Sequence, residues 1–375
     1  MAVENEQVLL EDVVDIFDDL IGHFGCHAVA SGGAMYIQPY VYLSLHLVQM
    51  RAVGWDVDFD QIAAVSGASA LFAYHPDDFM PKYAHLDVEP DRRIAEATGF
   101  GYEWVSFEDV GGAWERVIES VGAGRSAKGW DWENILFAGY WDARRAEDRK
   151  VFALADGPET YARWLTWDEF GEWTARVGKW GVPHLGRHTG PVEAMPAREV
   201  ALRVMRDLVA WSTDPPASVL ERYPKATIGL AGIEAYAAAC ERADLGEDWL
   251  MCHPINGQWG VRNASGVYLR RAAESGIFAK AAGDQLCAAA DAYRAAYERW
   301  ATAYRDHLGH DVPEERRKTA AAREAAASEI RSALADERTA LAAVVEALSL
   351  AEGLATAARS SRWCGMARRP DAAAR

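Results

Sequence analysis

Residues 41–50, VYLSLHLVQM, are apolar on nearly every side of a helix and lie between Pro39 and Gly54. Proline suits the first turn of a helix, and glycine commonly ends one. A helix with so little polar surface has to be covered on most sides, so the rest of the chain must supply the sheet or helices that enclose it. After Gly54 comes a short polar crossing at 56–60. An apolar segment follows, closed by Ser66-Gly67-Ala68, and Glu89-Pro90-Asp91 then leads into a helix that breaks at Gly99.

Around this stretch the pattern alternates between helix and strand. Residues 6–21 have helical or mixed spacing with an acidic outer face, and the glycines and small residues of 22–34 predict a loop. Residues 102–107 predict a strand edge and 109–121 a helix. The stretch 122–128, with its glycines, Ser126 and Lys128, predicts a loop. Residues 135–140 and 151–156 read as paired buried strands, the second closed by Gly157-Pro158. Thr166 with Glu169 three residues on is a helix-start signal.

Glycines and prolines crowd 180–196, which predicts a domain boundary with His184 and His188 on its surface. Helices are expected at 197–212, 229–243, 263–276 and 281–308. Residues 313–358, rich in Ala, Glu and Arg, predict a long exposed helix or helical hairpin that the core does not need, with a frayed end. The expected organisation is a domain over 1–195, a helical domain over 196–312 and a helical tail over 313–375.

Composition narrows the function classes. The 375 residues carry a formal charge of −17, which argues against a nucleic-acid partner and against an anionic membrane surface. No apolar run is long enough to span a bilayer. The five cysteines (Cys26, Cys240, Cys252, Cys287 and Cys364) are odd in number and widely spaced, as suits a reducing, cytoplasmic compartment. The 15 tryptophans can fill cores or line an aromatic pocket for a small molecule.

Several pieces in order resemble one known family. They are the helix ending at Gly54 with Asp58-Phe59-Asp60 and Val65-Ser66-Gly67-Ala68, then Glu89-Pro90-Asp91 with Gly99-Phe100-Gly101-Tyr102. The strand with Gly139-Tyr140, the turn and the strand ending in Asp156-Gly157-Pro158 come next, followed by the helical region from Gly229 with Ile233, Ala235 and Tyr236. Over 20–305 the chain resembles the N-terminal family of butirosin biosynthesis protein H, which is related to bacteriocin-processing, papain-like cysteine peptidases. The resemblance implies an α/β (α+β) fold: a papain-like domain followed by an all-helical domain. It also implies acyl-transfer or amide-hydrolysis chemistry on a small molecule in secondary metabolism such as antibiotic biosynthesis, with an acyl carrier protein or thioester as donor.

In that family a cysteine opens the central helix, where aligned N–H dipoles favour a thiolate. Here that position falls on Tyr40 or Val41. The histidine position reads Glu133-Asn134, and Asp156 fills the third position. Cys26, in a glycine-flanked loop, is the available thiol, with His27 or His23 as its base, and it is expected to face Asp156 across the cleft. Tyr40 is the candidate acid or hydrogen-bond donor, and Gln38 a candidate oxyanion donor. Trp130, Trp132, Glu133 and Asn134 are candidate pocket walls, with Glu133 as a replacement base. His23, Cys26 and His27 have metal-ligand chemistry at close spacing, with Cys252-His253 as a conceivable second half, but a fourth ligand is not evident, and structural zinc sites usually show two clear ligand pairs. No metal or cofactor is expected. Self-association through Leu334, Leu341, Val344, Val345 and Leu348 is expected to give a homo-oligomer. The alternative function is a binding protein that has lost the Cys-His dyad, taking up a small molecule or a carrier protein. A third is different chemistry in the same cleft.

Overall fold

The computed structural model describes residues 6–20, 28–31, 34–37, 41–78, 80–130, 134–156, 161–179, 183–242, 248–309 and 312–353. The first part of the chain runs β1 (Glu6–Leu9), α1 (Glu11–Leu20), β2 (Ala28–Ser31), β3 (Ala34–Ile37), α2 (Val41–Ala52), α3 (Phe59–Ser66) and β4 (Ala73–Tyr74). It continues through the 3-10 segment Met80–Val88, α4 (Pro90–Thr98), β5 (Phe100–Ser106), α5 (Val110–Gly122), β6 (Ala127–Trp130) and β7 (Asn134–Asp142). Then come β8 (Lys150–Asp156), β9 (Tyr161–Thr166), α6 (Trp167–Gly178) and β10 (His184–Pro191). The remainder is mostly helical: α7 (Ala197–Trp211), α8 (Ala217–Arg222), β11 (Thr227–Ile228), α9 (Gly229–Glu241), α10 (Asp248–Glu274), α11 (Lys280–Thr302), α12 (Glu314–Arg317) and α13 (Ala320–Ala351).

A seven-stranded sheet takes the order β5-β10-β6-β7-β8-β9, with β1 beside β7, and every pairing in it is antiparallel. Side chains alternate across a strand, so each strand serves two cores. Ala127, Ile135, Phe137, Val151 and Ala153 meet Trp114 and Val117 of α5 and Phe170 and Trp173 of α6 on one face. Leu136, Ala138 and Leu154 meet Val13 and Phe17 of α1 and Leu45 and Val48 of α2 on the other. The mixed helix-and-sheet class and the helical C-terminal region agree with the sequence expectation. Thr166 caps α6 in a reciprocal box with Glu169.

Several expectations are corrected. Residues 28–31 and 127–128, expected in loops, belong to the strands β2 and β6. The glycine- and proline-rich stretch 180–196 is not a boundary loop, because it contains β10, which lies between β5 and β6. His188 is buried there, stacked on Phe100 at 4.2 Å. Residues 320–351 are not an exposed helix either. Ala326, Ala327, Ile330, Ala333, Leu334, Ala340, Leu341, Val344 and Ala347 are buried in the core that also holds Tyr236, Tyr293, Tyr297 and Trp300. Alanine here is a small residue at a helix contact, and it lets α13 approach its neighbours closely. Leu334, Leu341 and Val344 are therefore committed to this core and are not open to a second copy. The same core reaches Leu43, Leu47 and Met50 of α2 and Phe59 and Ile62 of α3, so it runs across the expected boundary at 195.

Candidate functional site

The described part of α2 is buried from Tyr42 to Met50, which encloses three polar residues, Ser44, His46 and Gln49. Buried polar groups need partners, and those of His46 and Gln49 come from β5, from β6 and the residue before it, and from α4. Gln49 donates from Nε2 to the Ser126 carbonyl at 3.0 Å and accepts from the Tyr102 hydroxyl at 3.2 Å. His46 Nδ1 lies 3.4 Å from Lys128 Nζ and 3.3 Å from Asp91 Oδ1. Lys128 comes from β6, on the face opposite Ala127, and it is 0% exposed. Its ammonium lies 3.5 Å from the Tyr42 ring centroid, 5.1 Å from that of Tyr102 and 5.5 Å from that of Trp104, which is cation–π geometry.

Asp91 completes the cluster from the first turn of α4, where the helix dipole favours a carboxylate. Its Oδ2 accepts from the Trp104 indole N–H at 2.7 Å, and the Tyr42 hydroxyl donates to the same carboxylate. The entry to α4 is unusual. Glu89, its N-cap, has φ 55 and is the non-glycine residue in the left-handed region among the described residues. That conformation costs on the order of 1 kcal/mol; it turns the chain so that Pro90 and Asp91 start the helix. Tyr102 needs equal accommodation. A Cβ at Gly186 on the adjacent β10 would lie 2.1 Å from the Tyr102 hydroxyl oxygen, so only glycine leaves room for the phenol.

Burial lowers the Lys128 ammonium to about 8, with Asp91 opposing the shift. Burial, reinforced by the Lys128 charge, lowers His46 to about 3, so its imidazole is neutral at pH 7. The Lys128 ammonium can only donate, so the neutral His46 accepts from it on Nδ1 and carries its proton on Nε2, which lacks a hydrogen-bond partner among the described residues. Burial alone would raise Asp91, but the Lys128 ammonium and the donors on Tyr42 and Trp104 outweigh it and hold the carboxyl below its ordinary range. Burial, with Asp91 adding to it, holds the Tyr42 and Tyr102 phenols well above theirs, so both stay neutral donors.

This cluster backs onto a cleft of about 780 Å³, a volume that suits a small organic molecule. Tyr42, Asp91, Tyr102 and Trp104 line its inner wall, with Leu86, Val177 and Val192 adding apolar surface. Its rim charges are already paired: Arg92 with Glu89 at 2.6 Å, Arg222 with Asp87 at 3.0 Å and Arg187 with Glu103 at 2.8 Å. Among the described residues lining the cleft there is no cysteine and no lysine.

Of the residues singled out from the sequence, Cys26, His27, Gln38, Tyr40, Trp132 and Glu133 lie outside the described residues. Trp130 and Asp156 are described as strand residues. Trp130 pairs with Asn134 across β6 and β7, and Asn134 pairs with Asp156 across β7 and β8. Asn134 is buried, and its Oδ1 has no hydrogen-bond partner among the described residues. Gln49 meets Ser126, whereas Tyr42 and His46 meet Lys128, so α2 runs antiparallel to β6. Its N-terminal end is directed toward the Trp130–Asn134–Asp156 end of the sheet.

Sequence reasoning missed His46, Asp91, Tyr102, Trp104 and Lys128. The available signal was the polar set Ser44, His46 and Gln49 inside a helix that has to be buried. Among the described residues no group of three or more His, Cys, Asp and Glu side chains could hold a metal ion, and no helix is long and apolar enough to cross a membrane. No family model matches the chain, and neither does any curated protein.

Proposed function

We propose that the protein takes a small organic molecule into the cleft beside α4 and β5 and manages a proton there through Asp91 and Tyr42, in acyl-transfer or amide-hydrolysis chemistry. The observation that carries this proposal is the ionised Asp91 on the wall of an aromatic cleft, held by donors from α2 and β5 and faced by the Lys128 charge from β6. The backbone strain at Glu89, which delivers Asp91 to that wall, adds support, because strain of this kind gathers at functional sites. A papain-like arrangement is part of the proposal. It is supported by a buried helix laid on an antiparallel sheet, by a cleft bordering the first described turn of that helix, and by the Asn134–Asp156 register pair toward which the helix points. On this view the thiol is Cys26, and the acyl donor is a thioester or an acyl carrier protein.

A second reading, a binding protein without turnover, is favoured by the lack of a cysteine or lysine among the described lining residues. One experiment separates the two. Turnover of a panel of acyl thioesters and amides is measured for the full chain, Asp91→Asn, Tyr42→Phe and Cys26→Ala. Loss of a positioned acid or base lowers kcat by about a hundredfold to ten-thousandfold, and that is the expected result for Asp91→Asn. Undiminished turnover in folded Asp91→Asn would remove Asp91 from the chemistry. Turnover absent from the wild type, with a compound from the same panel retained on the protein, would select the binding role.

A further inference from the structure

The buried cations of this chain are chemically uneven. Among the described residues Arg93, Arg262, Arg317 and Arg323 are buried, and the only buried lysine is Lys128. The arginines do structural work: Arg93 pairs with Asp207, Arg262 with Glu337, and Arg317 and Arg323 bond the carbonyls of Gly309 and Arg242. Arginine is the better residue for a buried fork of hydrogen bonds and stays charged, whereas lysine is a compact charge that can release its proton. Among the described residues, the one place where a lysine is buried is behind the cleft.

Stability does not account for it. The neighbouring side chains on this face of the sheet are apolar, Leu136, Ala138 and Leu154 among them. An apolar residue in place of a buried ion pair is often as stable or more so. Lys128 does, however, touch the back of nearly everything that forms the inner wall. Its Nζ lies over the rings of Tyr42, Tyr102 and Trp104, and it faces Asp91 across His46, whose Nδ1 is 3.4 Å from Lys128 Nζ and 3.3 Å from Asp91 Oδ1; Tyr42, Tyr102, Trp104 and Asp91 line the cleft, and Lys128 itself does not.

We propose that Lys128 is a positioning residue: it sets a positive charge opposite the Asp91 carboxylate and holds the Tyr42, Tyr102 and Trp104 rings against the cleft without touching the ligand. This deepens the functional proposal and rests on Asp91 being the cleft's proton-handling group. The groups that face the ammonium are Asp91 from α4, His46 and Tyr42 from α2, and Tyr102 from β5. Asp91 is the ionised one among them at pH 7.

The test is a carbon-detected NMR titration of the aspartate carboxyls in the full chain, with the Asp91 signal identified by its loss in Asp91→Asn. The wild type should keep Asp91 ionised below the ordinary carboxylate range. In Lys128→Met its affinity for a proton should rise at least about tenfold, the scale of losing one close opposite charge, whereas Lys128→Arg should keep it low. Near-ultraviolet circular dichroism checks that each variant is folded. If Lys128→Met does not fold, the coupling is read from the other partner: the Lys128 side-chain titration should fall further in Asp91→Asn. An unmoved Asp91 midpoint in folded Lys128→Met, or an unmoved Lys128 midpoint in Asp91→Asn, overturns the proposal. Turnover or ligand retention lost in Asp91→Asn with no such coupling leaves the functional proposal standing and removes only Lys128. Coupling together with full activity in Asp91→Asn removes the functional role of the cluster.

Discussion

His46 is a histidine that the fold keeps from acting as a base. Its folded value of about 3 lies below the ordinary 6.5, so the unfolded chain takes up a proton that the native chain refuses. Stability is therefore undiminished above pH 6.5 and is lost as the pH falls from 6.5 toward 3. By pH 4.5 the loss from this residue alone is about 3 kcal/mol, since each tenfold in proton affinity is worth about 1.4 kcal/mol. Denaturant midpoints at pH 7 and pH 4.5 should differ strongly for the wild type and much less for His46→Phe, which keeps a ring against Phe100 and Tyr102. An equal acid sensitivity in both proteins would mean that His46 does not carry the effect. At this scale the sequence was only half legible. A histidine in an apolar helix announces a buried polar group, but its partners, Asp91 and Lys128, are 45 and 82 residues away and give no local sign.

Strands and helices were easiest to read where one period dominated. The buried strands β7 and β8, helix α4 with its end at Gly99, and α6 with its Thr166 cap were all visible in the sequence. The strand β10 was not, because Gly186, Gly190 and Pro191 are residues that usually interrupt a strand. In this fold they have separate uses: Gly186 passes beneath Tyr102, Gly190 turns with φ 116 after a register shift, and Pro191 ends the pairing. The four-residue β6 was hidden for a similar reason, with Gly124 shortly before it and Gly129 within it, and Lys128 was assigned to a loop as a result. Gly186→Ala tests the element directly. Its methyl must displace the Tyr102 phenol, and forcing extra volume into a packed site costs about 1–3 kcal/mol. The Tyr102–Gln49 hydrogen bond should be lost with it. Thermal melts should show the stability loss, and a hydroxyl-proton or ring-carbon NMR shift of Tyr102 should show the displacement. An unchanged melt would mean that the sheet yields more easily than its packing implies.

For the molecule as a whole, composition misled about the C-terminal helix: an Ala, Glu and Arg content that reads as exposed surface turned out to line the core. Glu337 is buried on α13, accepting from the Trp300 indole at 3.1 Å and pairing with Arg262 at 3.3 Å. Deleting residues 320–375 should therefore abolish the cooperative melt, because it removes one wall of the core shared with α2, α3 and α11. A truncated chain that still melts sharply, with native near-ultraviolet circular dichroism, would restore the view of this segment as an appendage. The sheet order also bears on the timing of assembly. The strands β6 to β9 follow one another along the chain and can pair as soon as they exist. The earlier β5 has no neighbour until β10, made some eighty residues later, inserts between it and β6. Non-local pairing of this kind comes slowly. On the ribosome, Tyr102 and Trp104 must wait for residues 184–191 before Lys128 is brought within reach. The aromatic wall is thus among the last parts of the sheet to be built. A chain stalled or clipped before residue 184 would hold a formed meander and no cleft.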